Sequence, residues 1–228
     1  MIPIKDRNPA DLFPAVTLLL IAANVAVFFY QISQGPQHFE QVVMSLALVP
    51  KTFVAEPLAP NQFTSLFTSM FMHGGILHLV GNMLFLWIFG NNVEDYFGHG
   101  KFVFFYLLTG LAATFSHIFT HPGSTIPVIG ASGAVSGVLG AYFLLFPRAR
   151  VLAAIPVFLF FYFVEVPAFL FLGFYIFMQI LFALPTLMAG PVDARGIAWF
   201  AHIGGFFAGA LLLLVLRRRS GFRRRRFL

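Results

Sequence analysis

The sequence predicts an all-α polytopic membrane protein, a bundle of six transmembrane helices with a long external loop between helices 1 and 2. Composition, span length and charge placement each point there. Of 228 residues, 59% are hydrophobic and only 10% charged, with a mean hydropathy of +0.88. A water-soluble domain carries about a quarter charged residues because its surface meets water. At about 20 apolar residues per crossing, the chain has room for roughly six spans and little else. Residues 1–228 therefore read as a single membrane domain.

Long apolar runs place helices near residues 14–33, 76–90, 102–120, 132–146, 167–188 and 198–216. The first begins after Pro14 and shows no small-residue cleavage site, so it reads as a retained helix rather than a signal peptide. Residues 35–72 form the external loop, apolar enough (Phe39, Val42, Phe53, Phe63, Leu66) to lie partly in the interface. The stretch 147–166 opens on Pro147 and Arg148 and contains Pro156 and Glu165, with Pro167 following. Prolines and a carboxylate argue against a crossing, so it is expected to be an interfacial or re-entrant connector.

With the N-terminus inside, six spans put Lys5, Arg7, Lys101, Arg148, Arg150 and the tail arginines on the cytoplasmic side. Only Lys51 and Arg195 fall outside. That asymmetry follows the positive-inside rule, and an odd number of spans breaks it. The expected setting is the cell (plasma or inner) membrane, with both termini cytoplasmic. The net charge of +6 is concentrated in the Arg-rich segment 217–228 directly after an apolar run. It reads as an anchor against anionic lipid rather than a nucleic-acid site.

The absence of cysteine excludes disulfides, thiolate metal sites and cysteine nucleophiles. His117 and His121 have a spacing that can ligate zinc. However, no H-E-x-x-H occurs and no nearby acid completes a site. No metal or other cofactor is expected.

The fixed orientation turns sequence position into depth. Ser132 opens the fourth span, His202 lies about one turn into the sixth, and His78 and Asn82 lie in the first turns of the second. All three spans start outside. At 1.5 Å rise per residue, the four side chains fall within roughly 10 Å of the outer boundary. Polar side chains inside a bilayer are costly and mark function. Gly133 and Gly137 in one span, and Ala201, Gly205 and Gly209 in the other, are spaced for close helix contact. That contact brings Ser132 within reach of His202.

A serine hydroxyl is a weak nucleophile until a base takes its proton, and neutral imidazole does this near pH 7. The only external carboxylates, Glu40, Glu56 and Asp193, are in loops, so a Ser132–His202 dyad is expected rather than a triad. Asn82, His78 and the backbone N–H of Ser132 are candidate donors to the oxyanion. His73 is expected to tie down the loop. Glu94, at the inner end of the second span, is expected to bond a loop backbone or a cation, and Glu165 to pair in the connector or face a polar cavity.

At these residues the sequence resembles the rhomboid family of intramembrane serine proteases. Gly130-Ala131-Ser132-Gly133 matches G-x-S-G, His78 through Asn82 matches H-x-x-x-N, and Ala201-His202-Ile203-Gly204-Gly205 looks like A-H-x-x-G. Gly90 through Gly98 is similar to the family's inner end of the second span. The likeness covers roughly residues 61–216. It implies a compact rhomboid-like bundle with a hydrated cavity opening outward, and cleavage of single-pass transmembrane substrates near their outer boundary. It further implies Ser132 as nucleophile, His202 as base, and His78 with Asn82 beside the oxyanion. Two positions depart from it. Thr64-Ser65 stands where many relatives carry Trp-Arg, and Ser136 where some carry an aromatic that stacks on the histidine.

The alternative function is a catalytically silent rhomboid-like protein that binds or escorts membrane clients. Natural substrate and oligomeric state are not encoded in any motif of the chain.

Overall fold

The computed structural model describes residues 1–188 and 197–216. Asp193, Arg195 and the tail arginines lie outside the described residues, as do the expectations attached to them. Four described helices are long and apolar enough to cross a membrane: α1 (Ala15–Ser33), α5 (Ile76–Phe97), α6 (His99–Thr120) and α8 (Ala168–Met188). Two more apolar helices, α7 (Ser132–Leu145) and α9 (Trp199–Val215), are shorter, at 14 and 17 residues. The predicted runs coincide with these six helices, but α5 continues past residue 90 to Phe97. Its polar end is kept helical by tertiary partners. Asn92 donates to Asp6 (3.1 Å), and Glu94 accepts from the backbone N–H groups of Val16 and Thr17 (2.9 and 2.8 Å). Glu94 also bonds the His99 ring (2.6 Å). Expected to bond a loop backbone or a cation, it instead finds its backbone partners in the first turn of α1. These contacts cap α1 with a carboxylate at its positive end.

The segment 35–72, expected as a long external loop, is not irregular. It folds into α2 (Pro36–Leu46), α3 (Pro50–Ala55), α4 (Pro60–Thr68) and a 3-10 turn, Ser69–Phe71. Each of the three helices opens with proline in its first turn, where no N–H is needed.

The all-α expectation also needs correction. The chain is mostly helical, but β1 (Ile2–Asp6), β2 (Arg150–Val157) and β3 (Phe160–Pro167) form an antiparallel sheet in the order β1-β2-β3. The connector is thus a hairpin, paired from Arg150↔Pro167 to Val157↔Phe160. Its β-branched and aromatic residues suit a pleated ribbon. Pro156 lies beyond Ala154, where β1 pairing ends, so its missing N–H is not needed there. Glu165, expected to pair within the connector or face a polar cavity, instead forms an ion pair with Arg7, just past the end of β1.

At the centre of the bundle α7 is buried continuously from Gly133 to Tyr142 and packs on α9, α6 and α5. The backbones of α7 and α9 touch. A Cβ at Gly205 would overlap the Gly133 carbonyl, and one at Gly209 the Gly137 carbonyl. Only glycine permits this approach, as the small-residue spacing predicts. It sets the distance between the mouths of the two helices.

Candidate active site

Ser132 is the first residue of α7, held by the segment that precedes it. The N–H of Val128 bonds the Leu48 carbonyl (2.7 Å), and the N–H of Gly130 bonds the Ser69 carbonyl (2.9 Å). Gly130 has φ +114°, and a Cβ there would come within 2.8 Å of the His78 ring. Glycine is needed at this position for both backbone and space. His202 sits in the first turn of α9, and its Nε2 lies 2.8 Å from Ser132 Oγ. The structure thus joins the two residues that the sequence places at one depth.

The other side of the imidazole carries a partner the sequence reading missed. His202 Nδ1 lies 2.8 Å from Oε1 of Gln179, a buried residue of α8. An amide oxygen only accepts, so Nδ1 carries the proton and Nε2 is left to accept from the serine hydroxyl. Gln179 does for the tautomer what a carboxylate would, without a buried charge. The signal was present: a glutamine inside an otherwise apolar span is a functional flag. Trp199, one turn before His202, meets the ring edge-on at 6.2 Å. Ser136, which takes the place of an aromatic, bonds the Tyr175 hydroxyl (2.6 Å), so the aromatic at this level comes from α8.

Asn82 is buried on α5, and its Nδ2 lies 3.1 Å from Nε2 of the fully buried His73. His73 Nδ1 donates to the Phe71 carbonyl (3.2 Å), which leaves Nε2 as the acceptor of one Asn82 amide hydrogen. Burial, with the neighbouring His78 charge second, pulls the His73 pKa down to about 4. The ring is therefore neutral near pH 7 and keeps its accepting role. Gln31 of α1 holds the backbone of His73 from both sides, donating to its carbonyl and accepting its N–H (3.0 Å each). His73 thus fixes more than the loop; it aims the Asn82 amide. The rings of His73 and His78 meet edge-on at 5.0 Å.

Ser132, His202, His78, Asn82, Tyr175 and Trp199 all line one cavity of about 610 Å³. The first N–H groups of α7 have no intrahelical acceptor. Asn82 and Ser132 line the same cavity, into which a carbonyl approaching Ser132 would come. His117 and His121 do not line this cavity; their rings stack on each other at 5.1 Å.

The rhomboid domain family model matches residues 60–219. Rhomboid protease GluP of Bacillus subtilis is 31% identical over 128 residues, covering 56% of this chain and 24% of that protein. Presenilin-associated rhomboid-like protein A, mitochondrial, of Danio rerio is 30% identical over 158 residues, covering 63% and 41%. Rhomboid protein 1, mitochondrial, of Saccharomyces cerevisiae is 30% identical over 138 residues, covering 58% and 37%. The chain spans less than half the length of each of these relatives. Matched over more than half its length by the domain model, and built around a bundle of apolar helices, this integral membrane protein belongs to the rhomboid family.

Proposed function

We propose that the chain is an intramembrane serine endopeptidase acting on single-pass transmembrane proteins, with Ser132 as nucleophile and His202 as general base. The observation that carries this reading is the chain of hydrogen bonds Ser132–His202–Gln179, each link 2.8 Å, at the wall of a 610 Å³ cavity. Membership of a family that includes a relative named as a protease supports it.

In this mechanism His202 Nε2 takes the Ser132 proton as Oγ adds to the scissile carbonyl carbon. The Asn82 amide, the Ser132 N–H and His78 receive the oxyanion. Such donors are worth about a hundredfold or more in rate each. The imidazolium then protonates the leaving amine, and water, deprotonated by the same ring, hydrolyses the acyl-enzyme. Gln179 keeps Nδ1 protonated throughout and is a positioning residue. All six apolar helices cross the bilayer in this reading, with both termini cytoplasmic and the cavity facing outside. The named relatives divide between a bacterium and mitochondria, so the proposal concerns orientation and not the organelle.

The test is incubation of the purified chain in liposomes with a model single-pass substrate, beside Ser132→Ala. The variant is expected to lose cleavage entirely, and fluorophosphonate labelling to vanish in Ser132→Ala and fall sharply in His202→Ala. Equal cleavage by both proteins removes Ser132 from the mechanism. A wild type that neither cuts nor labels favours the client-binding role.

A further inference from the structure

At the end of the bundle opposite the cavity, the β2–β3 hairpin exposes an unbroken apolar tip. Phe158 and Leu159 form its two-residue turn at 99% and 92% exposure, and Phe160, Phe161, Tyr162 and Phe163 follow, all more than half exposed. Phe158 has φ +53°. That is the left-handed region, where a two-residue hairpin turn normally uses glycine or asparagine. The turn therefore keeps a phenylalanine against its backbone preference. Successive residues of a strand point to opposite faces. Phe160 and Tyr162 thus occupy one face of the ribbon and Phe161 and Phe163 the other. A protein docked on one face would need only alternate residues to be apolar. Apolar residues on both faces call for an environment that surrounds the ribbon.

We propose that this hairpin is an interfacial anchor, laid into the boundary between headgroups and acyl chains of the leaflet at the sheet end. Continuity and charge identify the occupant. β3 ends at Pro167 and α8 starts at Ala168 with no linker. Phe169, Leu170, Phe174 and Phe177 continue the exposed apolar surface up the membrane helix. At the base of the sheet Lys5, Arg148 and Arg150 are all exposed, at the height where anionic headgroups would meet them. The depth is limited by the backbone. Among the described residues β3 is an edge strand whose outer N–H and C=O groups have no partner strand, and hydrocarbon would leave them unsatisfied. The hairpin therefore lies shallow, in the interface.

The chain has no cysteine, so one added thiol reports alone. Full-length Leu159→Cys, labelled with an environment-sensitive fluorophore, is reconstituted in phosphatidylcholine vesicles containing phosphatidylglycerol. Glu56→Cys serves as the aqueous control. Unchanged thermal unfolding relative to wild type establishes that the labelled protein is folded. Nitroxides near the headgroup are expected to quench Leu159→Cys more than nitroxides near the acyl terminus. Iodide on both sides is expected to quench it about fivefold less than the control, as burial in the interface requires. Replacing phosphatidylglycerol with a zwitterionic lipid is expected to weaken the shallow quenching, and unchanged quenching overturns the role of the basic residues. Iodide quenching equal to the control overturns the anchor. So does protection without lipid quenching that disappears at one protein copy per vesicle, which would assign the tip to a second copy. Deeper quenching than shallow overturns the interfacial depth.

Discussion

Neutral imidazole has two tautomers of similar energy, and only the one protonated on Nδ1 can take a proton from Ser132. The Gln179 amide oxygen, 2.8 Å from Nδ1, selects it. Replacing Gln179 with leucine removes the acceptor at similar volume, so the ring loses both its tautomer preference and its orientation. On the proposed mechanism Gln179→Leu lowers kcat about 10- to 100-fold with KM nearly unchanged, a partial loss of the roughly 10²- to 10⁴-fold that general-base catalysis supplies, since the imidazole itself remains. Gln179→Glu keeps an acceptor on Nδ1 and retains most of the activity. Steady-state cleavage kinetics on the three proteins check this. A Gln179→Leu enzyme with wild-type kcat would reduce the contact to packing. The Ser132–His202 pair was legible in the sequence because both residues sit at helix mouths beside glycines that force the helices together. Gln179 and Gln31 were not. Each is an amide in a long apolar span, Gln179 alone in α8 and Gln31 beside Asn24 in α1, and nothing in the spacing says which neighbour its side chain meets.

The element that resisted reading from sequence is the sheet. Strand β1 has only five residues, and the β2–β3 turn is Phe158-Leu159 rather than a glycine- or asparagine-containing pair. Local signals for a hairpin were therefore missing, and two prolines suggested an irregular connector. Tertiary bonds supply what the turn does not. Asp6 at the end of β1 accepts from the Tyr142 hydroxyl (2.6 Å) and from Asn92, which fastens the sheet to α7 and α5. Burial raises its pKa to about 6, outweighing the Tyr142 hydrogen bond, which acts in the opposite direction. A carboxyl whose folded pKa lies above its unfolded value of 3.8 favours the fold when protonated. The stability it contributes is complete below about pH 4 and is lost as pH rises through 6. Asp6→Asn should remove this loss. The variant is expected to gain about 1 kcal/mol over wild type at pH 8, less than the full shift implies because one accepting oxygen is gone. Relative to wild type it should gain nothing at pH 4. Thermal unfolding in detergent at the two pH values measures the difference, and a variant less stable than wild type at pH 8 contradicts the account.

On the scale of the whole molecule the least certain crossing from length alone is α7. Fourteen residues at 1.5 Å rise give about 21 Å, against a hydrocarbon core of about 30 Å. What makes the short helix sufficient is its surroundings. Its sides are covered by α5, α6 and α9, so few of its residues meet lipid. One end opens on the cavity and the other on the sheet, so neither tip need reach a lipid boundary. The charge asymmetry in the sequence already implied that α7 crosses, since Lys51 and Arg148 otherwise fall on the same side. On the proposed six-span reading, this burial is the reason so short a span suffices. Between residues 51 and 148 lie α5, α6 and α7; in the proposed topology the first two return the chain to its starting side, and α7 alone decides the outcome. Thr52→Cys and Arg148→Cys, both at exposed positions of a cysteine-free chain, are therefore expected to label from opposite sides. In intact cells expressing each variant, an impermeant maleimide should modify Thr52→Cys, whereas Arg148→Cys should react only after permeabilisation. Equal reactivity in intact cells would mean that α7 re-enters rather than crosses. The sheet and the cavity would then share a side, and the positive-inside assignment would fail with the span count.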